Sequence, residues 1–157
     1  MHIKLILVGK TDHLAINQLI KEYEDRLGHY IRFDLDILPD LKNTKSLSEA
    51  TQKEKEGDLI LKKISPADDL ILLDENGKGY SSIDFSTLLQ KKMNSGLKQL
   101  IFVIGGPYGF SQAVYDRANS KFSISKMTLS HQMIRPFFIE QLYRAFTIMR
   151  NEPYHHH

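Results

Sequence analysis

Three stretches of this 157-residue chain combine residue types that could do chemistry. The first is IGGPYGF, residues 104–110. Two glycines at a strand end let a backbone approach a ligand closely or take a positive φ. Pro107 stiffens the turn, Gly109 permits a second bend, and Ser111 is placed to cap a following helix. The stretch lacks the Gly-Lys-Ser/Thr of a P-loop and the spacing of the dinucleotide fingerprint, so a plain strand-to-helix turn remains the alternative. The second is ISKMTLSHQMIRPFF, residues 124–138, whose mix of small polar and apolar residues suits a flat, partly apolar ligand. His131 within it would ordinarily be a structural histidine. The third is the ending NEPYHHH, residues 151–157, either a purification-tag fragment or a polar arm that reaches an active site.

The elements that must position these stretches follow from hydrophobic pattern. KLILVG (Lys4 to Gly9) is a continuous apolar run, as in a strand buried on both faces. Asp12 is placed to cap a helix carrying Ile16, Leu19, Ile20, Tyr23 and Leu27 at helical spacing, closed by Gly28. RFDLDIL (Arg32 to Leu38) alternates, and Pro39 ends it. Ser46 and Glu49 have capping-box spacing before a charged helix reaching about Ile64, with Gly57 inside it. LILLD (Leu70 to Asp74) reads as a third strand, broken by the turn-forming ENGKG. A helix from Ser81 or Ser82 stops at Gly96, and LIFVIGG is the fourth strand. A short helix from Ser111 to Ala118 and the β-like KFSIS come next.

Pro136 loses no hydrogen bond in the first turn of a helix, so the last helix should begin near Met133 to Arg135. Its buried stripe is Ile134, Phe138, Leu142, Ala145 and Met149. Strands alternating with helices predict one α/β domain over residues 1–157, with a mainly parallel sheet covered by helices on both faces. Ligands bind such sheets outside the C-terminal strand ends. That geometry selects three loops: DENGKG, GGPYGF and SKMTLSH.

Composition excludes several classes. No apolar run nears the ~20 residues needed to span a bilayer, and MHIKLILVGKTDH is charged too soon for a signal peptide. Without cysteine there is no disulfide framework or thiolate metal site, and cytoplasmic location is the default. Lys and Arg total 21 against 19 acids, a net charge of +2 that does not by itself announce nucleic acid. From Arg117 onward, however, six basic residues stand against Glu140 and Glu152. That bias suits an anionic ligand or an RNA backbone, or else a solvated helix face.

Taken in order, LLDENGK, IGGPYGF, ISKMTLSHQMIR, EQLYRAF and NEPYH resemble the small SPOUT-class methyltransferases of bacteria. Within them the chain is most similar to the family that methylates N3 of a pseudouridine in large-subunit (23S) ribosomal RNA. The resemblance spans the chain from KLILVGK to PYH. It implies an α/β knot, in which the C-terminal segment threads a loop of the sheet as a trefoil, and a homodimer binding S-adenosyl-L-methionine. It implies cofactor contacts at Leu73, at Gly105, and along Ile124, Ser125, Lys126, Met127, Thr128 and Leu129. The sequence departs from the family pattern at Tyr108, where glutamate is common, at Lys126 and at Ser130.

The resemblance also implies a reaction. Abstracting the N3 proton of an imide calls for a base, and His131, Tyr154 and His155 are the candidates. Arg144 could hold phosphate or a developing anion, or form a surface salt bridge. No metal is expected. The partners implied are a second copy and the ribosome, with no membrane and no DNA. With little surface to read sequence, recognition should rest on RNA shape and a shared basic patch, which favours assembled ribosomes as substrate. The competing reading is a non-catalytic RNA- or nucleotide-binding protein of the same fold. In the tail, Asn-Glu-Pro-Tyr-His matches the family's ending, which makes Tyr154 and His155 native. His156 stands where a basic residue is frequent, and His157 alone stays open to the tag reading.

Overall fold

A computed structural model describes residues 1–155. The expectations for His156 and His157 therefore lie outside the described residues. Five strands form one parallel sheet in the order β2-β1-β4-β3-β5. They are β1 (His2–Val8), β2 (Arg32–Leu38), β3 (Asp69–Gly79), β4 (Gln99–Ile104) and β5 (Ser120–Ser123). The helices are α1 (Leu14–Gly28), α2 (Glu49–Leu61), α3 (Ser82–Asn94), α4 (Gln112–Arg117) and α5 (Ile134–Met149). Unbroken burial from Leu5 to Val8 of β1 and from Leu100 to Ile104 of β4 follows from their central places, and the wetter pattern of β2 from its place at an edge.

Each face of the sheet carries its own core. Ile20 and Leu27 of α1, Phe85 and Leu89 of α3, and Phe138, Leu142 and Phe146 of α5 cover one face. Ile60 of α2 and Val114 of α4 cover the other, against Ile6, Leu70, Ile101 and Val103. The expected stripe on α5 is fully buried at Phe138, Leu142 and Ala145 and partly buried at its two ends. Pro136 sits in the first turn, as its missing N–H requires.

Four local expectations are corrected. Asp12 does not cap α1: the cap position is His13, with no side-chain bond, because Asp12 is engaged by Gln132. Helix α2 is capped by the Ser48 hydroxyl, which accepts from the Thr51 N–H at 3.1 Å, and ends at Leu61. Ser46 is diverted into a 3-10 turn, where its hydroxyl donates to the Asn43 carbonyl. ENGKG is not a turn but the continuation of β3, whose register against β5 shifts between Leu73 and Lys78. Gly77 makes this possible, because a Cβ there would lie 2.7 Å from the Phe122 backbone. Ser111 holds the cap position of α4 without making a cap bond. Ser81, by contrast, caps α3 by accepting from the Asp84 N–H, and Gly96 follows it at φ +76°, as expected.

The chain leaves β1 toward β2 and leaves β4 toward β5, so the strand order reverses between β1 and β4. Arg135 of α5 closes the β1 end of this crevice. Its fully buried guanidinium donates to the Val8 carbonyl at 2.8 Å and to the Thr11 hydroxyl at 2.6 Å.

Candidate active site

Beyond the C-terminal ends of β4 and β5, alongside residues 73–76 in the middle of β3, lies a cleft of about 550 Å³. Its walls come from the three segments that sheet geometry selects, although the first of them, DENGKG, is strand rather than loop. Leu73 and Gly105 line it, as do Ile124, Ser125, Met127, Thr128 and Leu129. Lys126, in the same segment, is exposed and does not line it. His131 lies on the rim, exposed but lining the cleft.

Short-range hydrogen bonds shape each wall. Gly109, at φ +79°, donates its N–H to the Gly106 carbonyl at 3.2 Å, closing a tight turn with Pro107 and Tyr108 at its tip. Tyr108, which replaces the expected glutamate, is half-exposed on the cleft. In the third wall the Ser125 hydroxyl accepts from the Met127 N–H at 3.0 Å, and the Ser130 hydroxyl accepts from the Met133 N–H at 3.1 Å. These serines bend the chain locally, in the manner of side chains that mimic turns. Ser130 therefore does at the entry to α5 what a turn residue must. Thr128 reaches across to Glu75 at 3.4 Å, joining the first and third walls.

Two acids and a tyrosine join the residues expected from the sequence. Asp74 and Glu75 line the cleft beside Leu73. The Tyr115 hydroxyl donates to Asp74 Oδ2 at 2.6 Å, and the Asn76 N–H donates to Oδ1 at 2.8 Å. Burial and then the Asp74 bond push the Tyr115 hydroxyl up to about 12, so it stays a donor and fixes the carboxylate. The DENGKG motif contains both acids. Tyr115 had no signal, because it comes from α4 and meets Asp74 only through the pairing of β3 with β5.

Tyr154, His155 and Arg144 are not part of this chain's cleft. Tyr154 packs back on its own helices: its hydroxyl donates to Glu140 Oε1 at 2.9 Å and lies 3.3 Å from the Tyr23 hydroxyl. Arg144 pairs with the same carboxylate, and its guanidinium sits 4.7 Å over the Tyr154 ring. Tyr143 meets that ring edge-on. Tyr30 donates to Glu152, anchoring the tail a second time. Burial, and then the bonds to Tyr23 and Glu140, raise the Tyr154 hydroxyl well above the ordinary phenol range. It is a hydrogen-bond donor near neutral pH. His155, half-buried, is the last described residue. The site residues thus form two groups, one around the cleft and one where the tail crosses α1 and α5.

Comparison with known proteins covers the same span. A family model described as "Predicted SPOUT methyltransferase" matches residues 1–155. Over 156 residues the chain is 66% identical to a protein of Flavobacterium johnsoniae named ribosomal RNA large subunit methyltransferase H. Proteins of the same name from Christiangramia forsetii and Parabacteroides distasonis are 64% and 61% identical over that length. In each case the match covers 99% of both chains.

Proposed function

Because the chain belongs to the SPOUT methyltransferase family, we propose that it transfers a methyl group from S-adenosylmethionine to N3 of a pseudouridine in large-subunit (23S) ribosomal RNA. The substrate is the assembled ribosome, and the setting is the cytoplasm. The observation that carries this reading is the convergence of three separate segments on one cleft, in a chain matching methyltransferase H proteins end to end.

The donor set fits the cofactor. Asp74 and Glu75 present negative charge to a ligand whose sulfonium and ammonium are positive. Gly105 allows close backbone approach, while Leu73, Ile124 and Leu129 offer an apolar wall to a flat adenine. Ser125, Met127 and Thr128 complete it. When bound, S-adenosylmethionine supplies an electrophilic methyl group; its transfer forms the N3–CH3 bond and leaves the neutral thioether S-adenosylhomocysteine. Positioning supplies most of the rate, since the protein forms no covalent bond.

The N3 proton must go to a base. With Tyr154 held protonated, the imidazoles of His131 and His155 are the candidates, and Tyr154 serves as donor. Arg144, oriented by Glu140, is placed to meet anionic charge. Since Arg144 and Tyr154 lie outside their own chain's cleft, they serve the reaction from a second copy. The protein is then a homodimer with a composite site. The trefoil knot of the family belongs to this reading, supported by the return of Gln132 and Arg135 to the end of β1.

The test is methyl transfer to ribosomes from a strain lacking the protein, with the product nucleoside identified by mass spectrometry. N3-methylpseudouridine in intact ribosomes, and little in naked RNA or isolated subunits, is the expected result. Cofactor binding by calorimetry without methylation of any ribosomal substrate would favour a non-catalytic binding protein instead.

A further inference from the structure

The glycine turn that floors the cleft rests on helix α2 through two reciprocal close approaches. On the helix, a Cβ at Gly57 would lie 2.3 Å from the Ser111 hydroxyl. On the loop, a Cβ at Gly106 would lie 2.6 Å from Glu56 Oε2. Each element thus carries a glycine where the other carries a polar side chain. The Glu56 carboxyl takes up the space of a side chain at residue 106, directly behind the backbone that lines the cleft. It is only 6% exposed. Gln52 Nε2 donates to Oε1 at 2.8 Å, whereas Oε2 is buried without a hydrogen-bond partner among the described residues. An apolar side chain would fill this seam without that cost, so a carboxyl here calls for a reason.

We propose that Glu56 is a positioning residue for the methyl donor, holding Gly105 and Gly106 in binding geometry from behind the cleft through its contact with Gly106. The inference rests on the cofactor reading above and adds a residue that touches no ligand. Its chemistry follows from the surroundings. Burial favours the neutral acid, and Asp40, on the loop after β2, favours it further, while the Gln52 bond favours the carboxylate. Gln52 on its own helix and Gly106 and Ser111 opposite are uncharged, so Asp40 is the charged group acting on Glu56 from a neighbouring element. The neutral acid can stay in the seam. The carboxylate seeks water or donors, and its movement displaces the glycine turn. Grip on the donor therefore weakens as pH rises through the Glu56 titration, which burial raises.

The experiment is calorimetry of S-adenosylmethionine binding to the full-length protein and to Glu56→Gln, from about pH 5 to about pH 8. Titration of the donor itself is common to both proteins and cancels in the ratio of dissociation constants. That ratio should be near one at the acid end and rise with pH, by at most about tenfold per pH unit, the limit for one proton. Gln52→Leu, which removes the bond favouring the carboxylate, should move the onset of weakening to higher pH. This variant keeps the test decisive if Glu56→Gln does not fold. A flat ratio, or a Gln52→Leu onset that stays put or moves down, overturns the proposal. Absence of binding by the unmodified protein at every pH would instead overturn the cofactor reading, and this inference with it.

Discussion

Asp12 and Gln132 stand 120 residues apart in the chain and exchange two hydrogen bonds. The Asp12 N–H donates to Gln132 Oε1 at 3.1 Å, and Gln132 Nε2 donates to Asp12 Oδ2 at 3.2 Å. The pair ties the loop after β1 to the third wall of the cleft. Asp12→Ala and Gln132→Ala should each weaken S-adenosylmethionine binding by about three- to tenfold, the worth of one or two exposed hydrogen bonds. The double variant should be no weaker than either single one, as calorimetry on all four proteins would show.

Arg135 is the larger fixture. Arg135→Ala removes a fully buried side chain and strands the Val8 carbonyl and the Thr11 hydroxyl. Denaturant titration should show a loss of about 2–4 kcal/mol. Arg135→Lys should recover little, because one ammonium cannot reproduce the fork that spans both acceptors.

Two glycines make a controlled comparison. Gly77→Ala drives a Cβ into the Phe122 backbone, so it should cost about 1–3 kcal/mol and also weaken cofactor binding, since Phe122 lines the cleft. Gly96→Ala has open space but a φ of +76°, so it should cost about 1–2 kcal/mol and leave binding alone. Melting curves and calorimetry on the pair separate strain from site damage.

Alkaline stability should report the Tyr115–Asp74 bond. The folded Tyr115 hydroxyl titrates at about 12, above the ordinary phenol value near 10. Its contribution is therefore complete below about pH 10 and is lost as pH rises toward about 12. Tyr115→Phe should melt at a lower temperature at neutral pH, with the gap to the unmodified protein closing across that window.

The proposed composite site predicts the behaviour of mixtures. Truncation after Arg150 should abolish methylation, and so should Asp74→Ala in the cleft. Mixing the two proteins should restore activity through heterodimers that pair an intact cleft with an intact tail. A mixture as inactive as its components would confine the tail's role to its own chain.

Much of this was legible in residue pattern. The strands announced themselves because buried parallel strands read as unbroken apolar runs, and Pro136 dated the start of α5 to within a residue. The cleft lies where strand-end geometry and motif resemblance both pointed, at the segments containing Leu73, Gly105 and Ile124. What stayed hidden was tertiary. ENGKG has turn chemistry, yet Gly77 serves a close approach between β3 and β5. Asp12 has a capping residue's chemistry, yet a glutamine far along the chain claims it. Tyr115 and Glu56 carried no local signal, since each acts through a neighbour supplied by another element. Local pattern yields elements, whereas partners need the fold.

Arg135 also sets an order of events during synthesis. A nascent chain ending at Ser123 already holds all five strands, but only two of the three walls of the cleft. The third wall and its fastening to Val8 and Thr11 come from residues that follow β5. Such contacts between chain ends are the slow ones to form. A product clipped after Ser123 therefore keeps the sheet but lacks the third wall of the cleft.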